Sequence, residues 1–228
     1  MSVWKIDRWA DVNHVFHFLS IIAITIYLSF SLEPEWAKIL VIDGVKMSEK
    51  SLPFYMFIRF DKLALGLVIM SLIGFGFQPF KNSKAFKVGF LGALSLIALL
   101  IGVAISISYV EWDPKLPPET LIFMLNNLLI VCVAEEAIFR RYIQSSIYCS
   151  LRQYKYATAL SILLASVIFG LAHMRGGLIF VLLATIAGVF YGYCYQKTGR
   201  IESSVLCHFG LNAVHFLMFS YPALSLTA

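Results

Sequence analysis

The chain has 228 residues, of which 60% are hydrophobic and 14% are charged, whereas soluble domains have roughly 25% charged residues. So much apolar sequence excludes an ordinary soluble domain and predicts a protein embedded in a lipid bilayer. The net charge of +5 comes from Lys and Arg residues beside apolar runs. Because these residues do not form one continuous basic face, the composition argues against nucleic acid as a partner.

Seven stretches of the chain read as membrane-spanning helices, each of which needs about 20 mostly apolar residues because its backbone amides must pair inside the hydrocarbon. Short polar breaks separate them, without a linker or low-complexity stretch. We therefore predict an all-α fold: one membrane domain, residues 1–228, formed by a bundle of about seven spans. The predicted spans are 15–32, 54–77, 88–109, 120–148, 156–173, 178–195 and 201–221.

Basic residues follow the positive-inside pattern, because every second break between spans contains Lys or Arg. This pattern predicts a cytoplasmic N-terminus, although the first intervening break, with Lys38, Lys46 and Lys50, weakens it. The modest chain length favours a prokaryotic inner or plasma membrane. The basic residues that define the pattern are Lys5, Arg8, Lys81, Lys84, Lys87, Arg152, Lys155, Lys197 and Arg200.

The fourth predicted span, NNLLIVCVAEEAIFRRYIQ, places Glu135, Glu136 and Arg140 well inside an apolar helix, where an isolated charge costs at least about 2.5 kcal/mol. Glu136 and Arg140 are four residues apart and share one helix face, so a structural ion pair accounts for both. Glu135 points about 100° away from Glu136 around the helix. The sequence therefore leaves Glu135 as a carboxylate that needs another partner.

A histidine in the fifth predicted span is the natural partner for this carboxylate. That span ends FGLAHM at His173, and the midpoint between Glu135 and His173 is residue 154, in the basic turn between the two spans. Residues equidistant from the turn of an antiparallel helical hairpin lie at the same height, because each arm rises about 1.5 Å per residue. We therefore expect Glu135 and His173 to face one another.

The seventh predicted span, containing CHFGLNAVHF, carries a polar stripe formed by His208, Asn212 and His215. His208 and Asn212 are four residues apart and share one face, which is costly in a membrane unless it meets another polar face. His215 could be a supporting partner of these groups or an interfacial residue, and we predict the interfacial position. Counted from the basic breaks, His208 lies much closer to the end of its helix than Glu135 does to the end of its own. The sequence therefore does not determine how deep the site lies or on which side of the membrane it is accessible.

These residue types are suited to hydrolysis. A carboxylate opposite an imidazole can polarise and deprotonate water, and a second His with an Asn amide can donate hydrogen bonds to a developing oxyanion. Two imidazoles and a carboxylate also suit a zinc ion, whose ligands would then be Glu135, His173 and His208. Because the sequence contains no HExxH, it does not require a metal.

Three short motifs resemble, in the right order, those of the CPBP family of membrane proteins. They are EExxxR at Glu135 to Arg140, FxxxH at Phe169 to His173, and HxxxN at His208 to Asn212. Each motif alone is a weak signal, but three in order on predicted spans are a strong one. The family includes type II CAAX prenyl endopeptidases and the ABI or bacteriocin-processing proteins. The resemblance covers about residues 120–215, which we predict to be the catalytic core.

The resemblance implies an intramembrane protease that acts on a membrane-anchored protein or peptide. It implies that Glu135 and His173 activate water, that His208 and Asn212 form the oxyanion hole, and that Glu136 and Arg140 support them. The family has been described both as metalloproteases and as glutamic-type proteases. We predict the glutamic type, with no required cofactor and with a divalent metal such as zinc as the alternative.

A different class of function stays open on the sequence alone. The same polar groups could serve packing or partner binding in a non-enzymatic membrane protein, such as a bacteriocin-immunity factor or a scaffold. A secondary transporter is disfavoured, because the chain shows no internal repeat and no matching pair of Gly- or Pro-interrupted spans.

Overall fold

Seven apolar helices form most of the computed structural model, which describes residues 14–30, 32, 34–73 and 83–225. Helices are expected here because they satisfy every internal backbone amide without water. The last residues of the second predicted span, 74–77, lie outside the described residues. The helices are α1 (His14–Phe30), α2 (Phe60–Ile73), α3 (Ser83–Ser106), α4 (Thr120–Leu151), α5 (Ala157–Leu171), α6 (Gly177–Thr198) and α7 (Ile201–Met218).

Three of these helices are long and apolar enough to cross a membrane, within the part of the chain that the structure describes. They correspond to Phe86–Ser106 of α3, Thr120–Leu151 of α4, and Met174–Thr198, which contains α6. Two shorter apolar helical stretches are Phe18–Leu28 and Ala157–Leu171. The structure therefore supports an integral membrane protein, and the number of seven spans stays a prediction.

A two-stranded antiparallel hairpin corrects the expectation of an all-α fold. Strand β1 is Lys38–Val45 and strand β2 is Phe54–Arg59. The second predicted span was therefore wrong at its start, because residues 54–59 are extended and α2 begins at Phe60. Their sequence, FYMFIR, is rich in aromatic and β-branched residues, which favour strands. A short apolar run does not distinguish a strand from a helix by hydrophobicity alone.

The hairpin, the loop 107–119 and the tail 219–225 pack together at one end of the bundle, here named the hairpin end. Ser51 pairs with Leu224, and Trp112 pairs with Phe219, in isolated β-bridges. Lys115 donates hydrogen bonds to the Phe219 carbonyl and to Asp113, and its burial lowers the pKa of the Lys115 ammonium.

The opposite end of the bundle contains the turns between α4 and α5 and between α6 and α7. We name it the basic end, because its turns and helix termini carry Arg152, Lys155, Lys197 and Arg200. Pairing of α5 with α6 is antiparallel, since Gly170 contacts Val181 and Gly188 contacts Ser166.

Glycines permit this close approach of helices, because they have no side chain to separate the two backbones. A Cβ atom at Gly170 would lie 2.7 Å from the Val181 carbonyl oxygen, and one at Gly188 would lie 3.0 Å from Cβ of Ser166. Both distances are shorter than ordinary van der Waals contacts. Any larger residue would therefore force α5 and α6 apart.

Helix α4 departs from regular α-helical geometry on both sides of its two glutamates. The segments Asn127–Cys132 and Ala137–Gln144 are π-helical, whereas Val133–Glu136 between them is α-helical. Seven of the eight residues of Ala137–Gln144 are buried, which makes α4 a central helix of the bundle. Helices with π turns are uncommon, and such turns occur frequently at functional sites.

Candidate active site

Glu135 is buried and bound by a lysine that the sequence analysis did not include. A Cβ atom at Gly66 of α2 would lie 2.8 Å from Cα of Ala134, so the two backbones are in close contact. One turn before Gly66, Lys62 places its Nζ 2.7 Å from Oε1 of Glu135. The Glu135 side chain is 3% exposed. A signal was available, because Lys62 is an ionisable residue inside a predicted span, where such residues are functional by default.

His173 faces the second oxygen of the same carboxylate, as the helical-hairpin argument predicts. Nε2 of His173 lies 3.9 Å from Oε2 of Glu135, and Nδ1 lies 2.7 Å from the Phe169 carbonyl oxygen. Because a carbonyl can only accept, Nδ1 carries the proton, and Nε2 of the neutral ring is an acceptor. Two proton acceptors therefore face one another at a distance too long for a direct hydrogen bond.

Glu136 has two buried partners. Its Oε2 accepts from Arg140 Nε at 3.1 Å, which is the predicted ion pair, and both side chains are fully buried. Its Oε1 lies 2.9 Å from Nδ1 of His208. Because a carboxylate accepts, Nδ1 of His208 donates, which leaves Nε2 available toward the cavity. Glu136 thus connects the EExxxR motif to α7, a contact that the ion-pair argument did not include.

Aromatic rings fix the orientation of these buried groups. The His208 ring stacks on Tyr191 of α6, with centroids 4.4 Å apart and an interplanar angle of 16°. Cζ of Arg140 lies 5.4 Å from the ring centroid of Phe169, the first residue of the FxxxH motif. The cation–π contact therefore holds Arg140 against α5, and ring stacking holds His208 against α6.

Asn212 lies on the same face of α7 as His208 and reaches back to the start of α4. Its Nδ2 donates to Oδ1 of Asn127 at 3.3 Å. Nδ2 also lies 4.0 Å from Sγ of Cys132, which is only a weak acceptor that a stronger acceptor can replace. Asn127 is a second contributor absent from the sequence analysis, although it stands at the start of the polar span that was singled out.

One cavity of about 480 Å³ contains this set of side chains. Glu135, His173, His208 and Asn212 all line it, together with Lys62. Its volume lies within the range of about 300–1,000 Å³ that is usual for ligand pockets. The sequence-predicted residues are therefore brought together around a space that can hold part of a substrate.

The cavity extends from this set toward the hairpin end, where Tyr109 and Pro222 also line it. His215 lines the cavity as well, and its ring packs against Tyr221 with centroids 4.9 Å apart. His215 therefore faces the cavity, and its interfacial position stays a prediction. His215 lies one turn closer to the hairpin end than Leu211, on the path between that end and Glu135.

The partners of Glu135 and His208 determine which of their atoms a divalent metal could use. Among the described residues, no group of three His, Cys, Asp or Glu side chains could hold a metal ion. One oxygen of Glu135 is bound by the Lys62 ammonium, and Nδ1 of His208 is bound by Glu136. A fixed positive charge 2.7 Å from a ligand oxygen opposes binding of a divalent cation there.

The model of one protein family, type II CAAX prenyl endopeptidase Rce1-like, matches residues 117–214. No curated protein and no solved structure matches the chain significantly. The matched segment contains Glu135, His173, His208 and Asn212, whereas Lys62 and the hairpin precede it. The match agrees with the family that the three motifs indicate. Residues 117–214 are therefore similar to the Rce1-like type II CAAX prenyl endopeptidases.

Proposed function

We propose that this protein is an intramembrane endopeptidase that hydrolyses a peptide bond in a membrane-associated protein or peptide. The observation that carries the proposal is the pair of facing acceptors in the cavity, Oε2 of Glu135 and Nε2 of His173, 3.9 Å apart. The family match of the surrounding segment supports the same class of reaction.

The first step is activation of water by Glu135 and His173. A water molecule that donates one hydrogen bond to each acceptor has its oxygen lone pairs directed away from both. Glu135 removes a proton as the water oxygen forms a bond to the carbonyl carbon of the substrate. Lys62 holds the other carboxylate oxygen, so Oε2 stays directed at the water.

The second step is stabilisation and collapse of the tetrahedral intermediate. With both ring nitrogens protonated, His208 donates from Nδ1 to Glu136 and from Nε2 to the oxyanion. The Asn212 amide supplies a second donor by exchanging its weak contact with the Cys132 sulfur for the oxyanion. The carbon–nitrogen bond then breaks, and the leaving amine takes the proton that Glu135 accepted from water.

The proposed reaction requires no metal. The alternative would place a divalent ion on Glu135, His173 and His208, where it would polarise the carbonyl and activate water. The proximity of the Lys62 ammonium to Glu135 supports the glutamic mechanism, because that ammonium already compensates the charge of the carboxylate. Removal of divalent cations separates the two mechanisms directly.

The test compares purified wild type, Glu135→Gln and Glu35→Gln on a panel of membrane-anchored peptides, with and without a strong chelator. Glu35 is a matched control, because its side chain is 89% exposed in an ion pair with Lys38. We expect wild type and Glu35→Gln to cleave equally and to keep their activity in the chelator. We expect Glu135→Gln to lose about 10²- to 10⁴-fold in kcat.

Two other results would contradict parts of this proposal. Loss of wild-type cleavage in the chelator, restored by zinc, would establish the metal-dependent reaction instead. A cellular function that survives Glu135→Gln, without cleavage of any peptide by wild type, would establish the non-enzymatic role.

A further inference from the structure

The cavity follows the edge of strand β2. Four consecutive residues of this strand, 54–57, line it, although successive side chains of a strand point to opposite faces. Phe54 and Met56 pack on the bundle: Met56 is 5% exposed, and the Phe54 ring lies 4.9 Å from that of Tyr221. Phe57 lies on the other face, where Lys38 Nζ is 5.3 Å from its ring. Neither face presents all four residues, so the strand borders the cavity with its edge.

This edge of residues 54–57 lies along the cavity without a partner strand among the described residues. Strand β1 occupies the other edge of β2, and no third strand joins the sheet within the described residues. In an antiparallel pair, alternate residues direct their N–H and C=O groups away from the partner strand. Such a row of donors and acceptors is a template for one more strand.

The strand also leads directly to the site. Its last residue, Arg59, is three residues before Lys62, whose ammonium binds Glu135. The cavity wall also includes the apolar side chains of Leu100, Ile101 and Val110. A chain lying along the edge of β2 therefore has apolar surface beside it and the Glu135 carboxylate beyond its end.

The physical chemistry of the substrate selects the extended conformation. A helix with its side chains is about 10–12 Å wide, and its peptide bonds are enclosed by its own turns. A peptide bond that is to be cut must leave the helix, which exposes N–H and C=O groups. Away from water these groups need protein partners, and the edge of β2 supplies them.

We propose that the substrate segment binds in an extended conformation and adds to the free edge of β2 as a third strand. This inference rests on the proposed function and specifies its substrate: a segment that can unwind, with apolar side chains at alternate positions. Main-chain bonds to β2 provide affinity, and the apolar wall selects the side chains.

The first test is disulfide mapping with peptides that wild type cleaves. A series of peptides is made in which a single cysteine moves one position at a time. Each peptide is mixed with Glu135→Gln protein that carries a second substitution. This is either Tyr55→Cys, which lines the cavity, or the control Trp36→Cys, which is exposed at the same end. We expect cross-linking to Tyr55→Cys to alternate with a period of two residues. A period of three to four, or yields no higher than with Trp36→Cys, would overturn the proposal.

The second test methylates single amide nitrogens of the cleaved peptide outside the scissile bond. Methylation of amides that face β2 should raise KM about 2- to 10-fold, the loss expected for one hydrogen bond, whereas the alternate amides should tolerate it. Equal effects at adjacent positions would overturn strand addition. Because both tests use peptides that wild type already cleaves and Glu135→Gln does not, failure of strand addition is distinguishable from failure of the proposed protease activity.

Discussion

Two adjacent glutamates have different partners because consecutive residues of a helix point about 100° apart. Glu135 is directed to Lys62 and His173 at the cavity, and Glu136 is directed to Arg140 and His208 in the protein interior. Each carboxylate thus has one Lys or Arg partner and one imidazole partner. Charges inside a membrane protein persist when they are paired in this way.

Replacement of Lys62 tests whether its ammonium positions Glu135. We expect Lys62→Met to lower kcat/KM by at least about tenfold and to reduce stability, because removing one partner of a buried pair costs about 3–5 kcal/mol. Lys62→Arg should recover much of the activity, since it keeps the charge. Cleavage kinetics and thermal unfolding in detergent measure both effects.

A matched control is Lys50→Met, at an exposed lysine that pairs with Glu111 at 3.4 Å. Surface pairs of this kind contribute about 0–1 kcal/mol, so this variant should behave like wild type. If Lys62→Met also kept full kcat/KM, Lys62 would have no positioning role.

At the scale of elements, the site depends on close contacts between helices at glycine residues, where no side chain separates the two backbones. Gly66 lets α2 meet α4 at Ala134, which brings Lys62 to Glu135. Gly170 lets α5 meet α6 just before His173, at the end of the helix that positions this histidine. Small residues therefore set the distances between the side chains of the candidate site.

Introduction of a methyl group at one of these contacts tests this interpretation. We expect Gly170→Ala to destabilise the protein by about 1–3 kcal/mol, the usual cost of overpacking, because the added Cβ would lie 2.7 Å from a backbone oxygen. Gly102→Ala is the control, since nothing lies within 4 Å of a Cβ there. That variant should be neutral or stabilised by up to about 1 kcal/mol. Equal unfolding temperatures in detergent for both variants would contradict the close-packing argument.

At the scale of the whole molecule, the cavity and the basic end lie on opposite sides of the bundle. The cavity is lined by residues of the hairpin end, including Tyr55, Tyr109 and Pro222. The turns rich in Lys and Arg are at the other end. By the positive-inside rule we propose that the basic end is cytoplasmic, so that the N-terminus is cytoplasmic and the cavity opens on the opposite side of the membrane.

Cysteine labelling of intact cells tests this orientation. Leu116 in the loop of the hairpin end is 80% exposed, and Tyr154 in a turn of the basic end is 58% exposed. We expect a membrane-impermeant maleimide to label Leu116→Cys in intact cells and Tyr154→Cys only after permeabilisation. Labelling of the unsubstituted protein measures the background from its own cysteines. The reverse pattern would place the cavity on the cytoplasmic side.

The depth of His208 shows where residue counting fails. Counted from the basic end, His208 is seven residues from the start of α7, whereas Glu136 lies much further from the end of α4 at Leu151. Their side chains nevertheless meet at 2.9 Å. Counting assumes that neighbouring helices end at one level, and α4 extends further from the site at the basic end than α7 does.

The sequence by itself determined the relations that depend on one helix or one tight turn. Equal rise on the two arms of a helical hairpin predicts that His173 approaches Glu135. Helical periodicity predicts that Glu135 and Glu136 have different partners and that Glu136 pairs with Arg140. The shared face of His208 and Asn212 follows in the same way. The high cost of polar groups in hydrocarbon indicated that these separate faces must meet.

Only the tertiary structure decided the relations between distant elements. Three such relations depend on which helices pack together and at what level. They are the contact of Lys62 with Glu135, the hydrogen bond from His208 to Glu136, and the position of the strand edge along the cavity. In hydrocarbon, lipid is as apolar as the helix surfaces, so hydrophobicity alone does not select a neighbour. Small residues and buried polar pairs make that selection, and they act in three dimensions across long stretches of sequence.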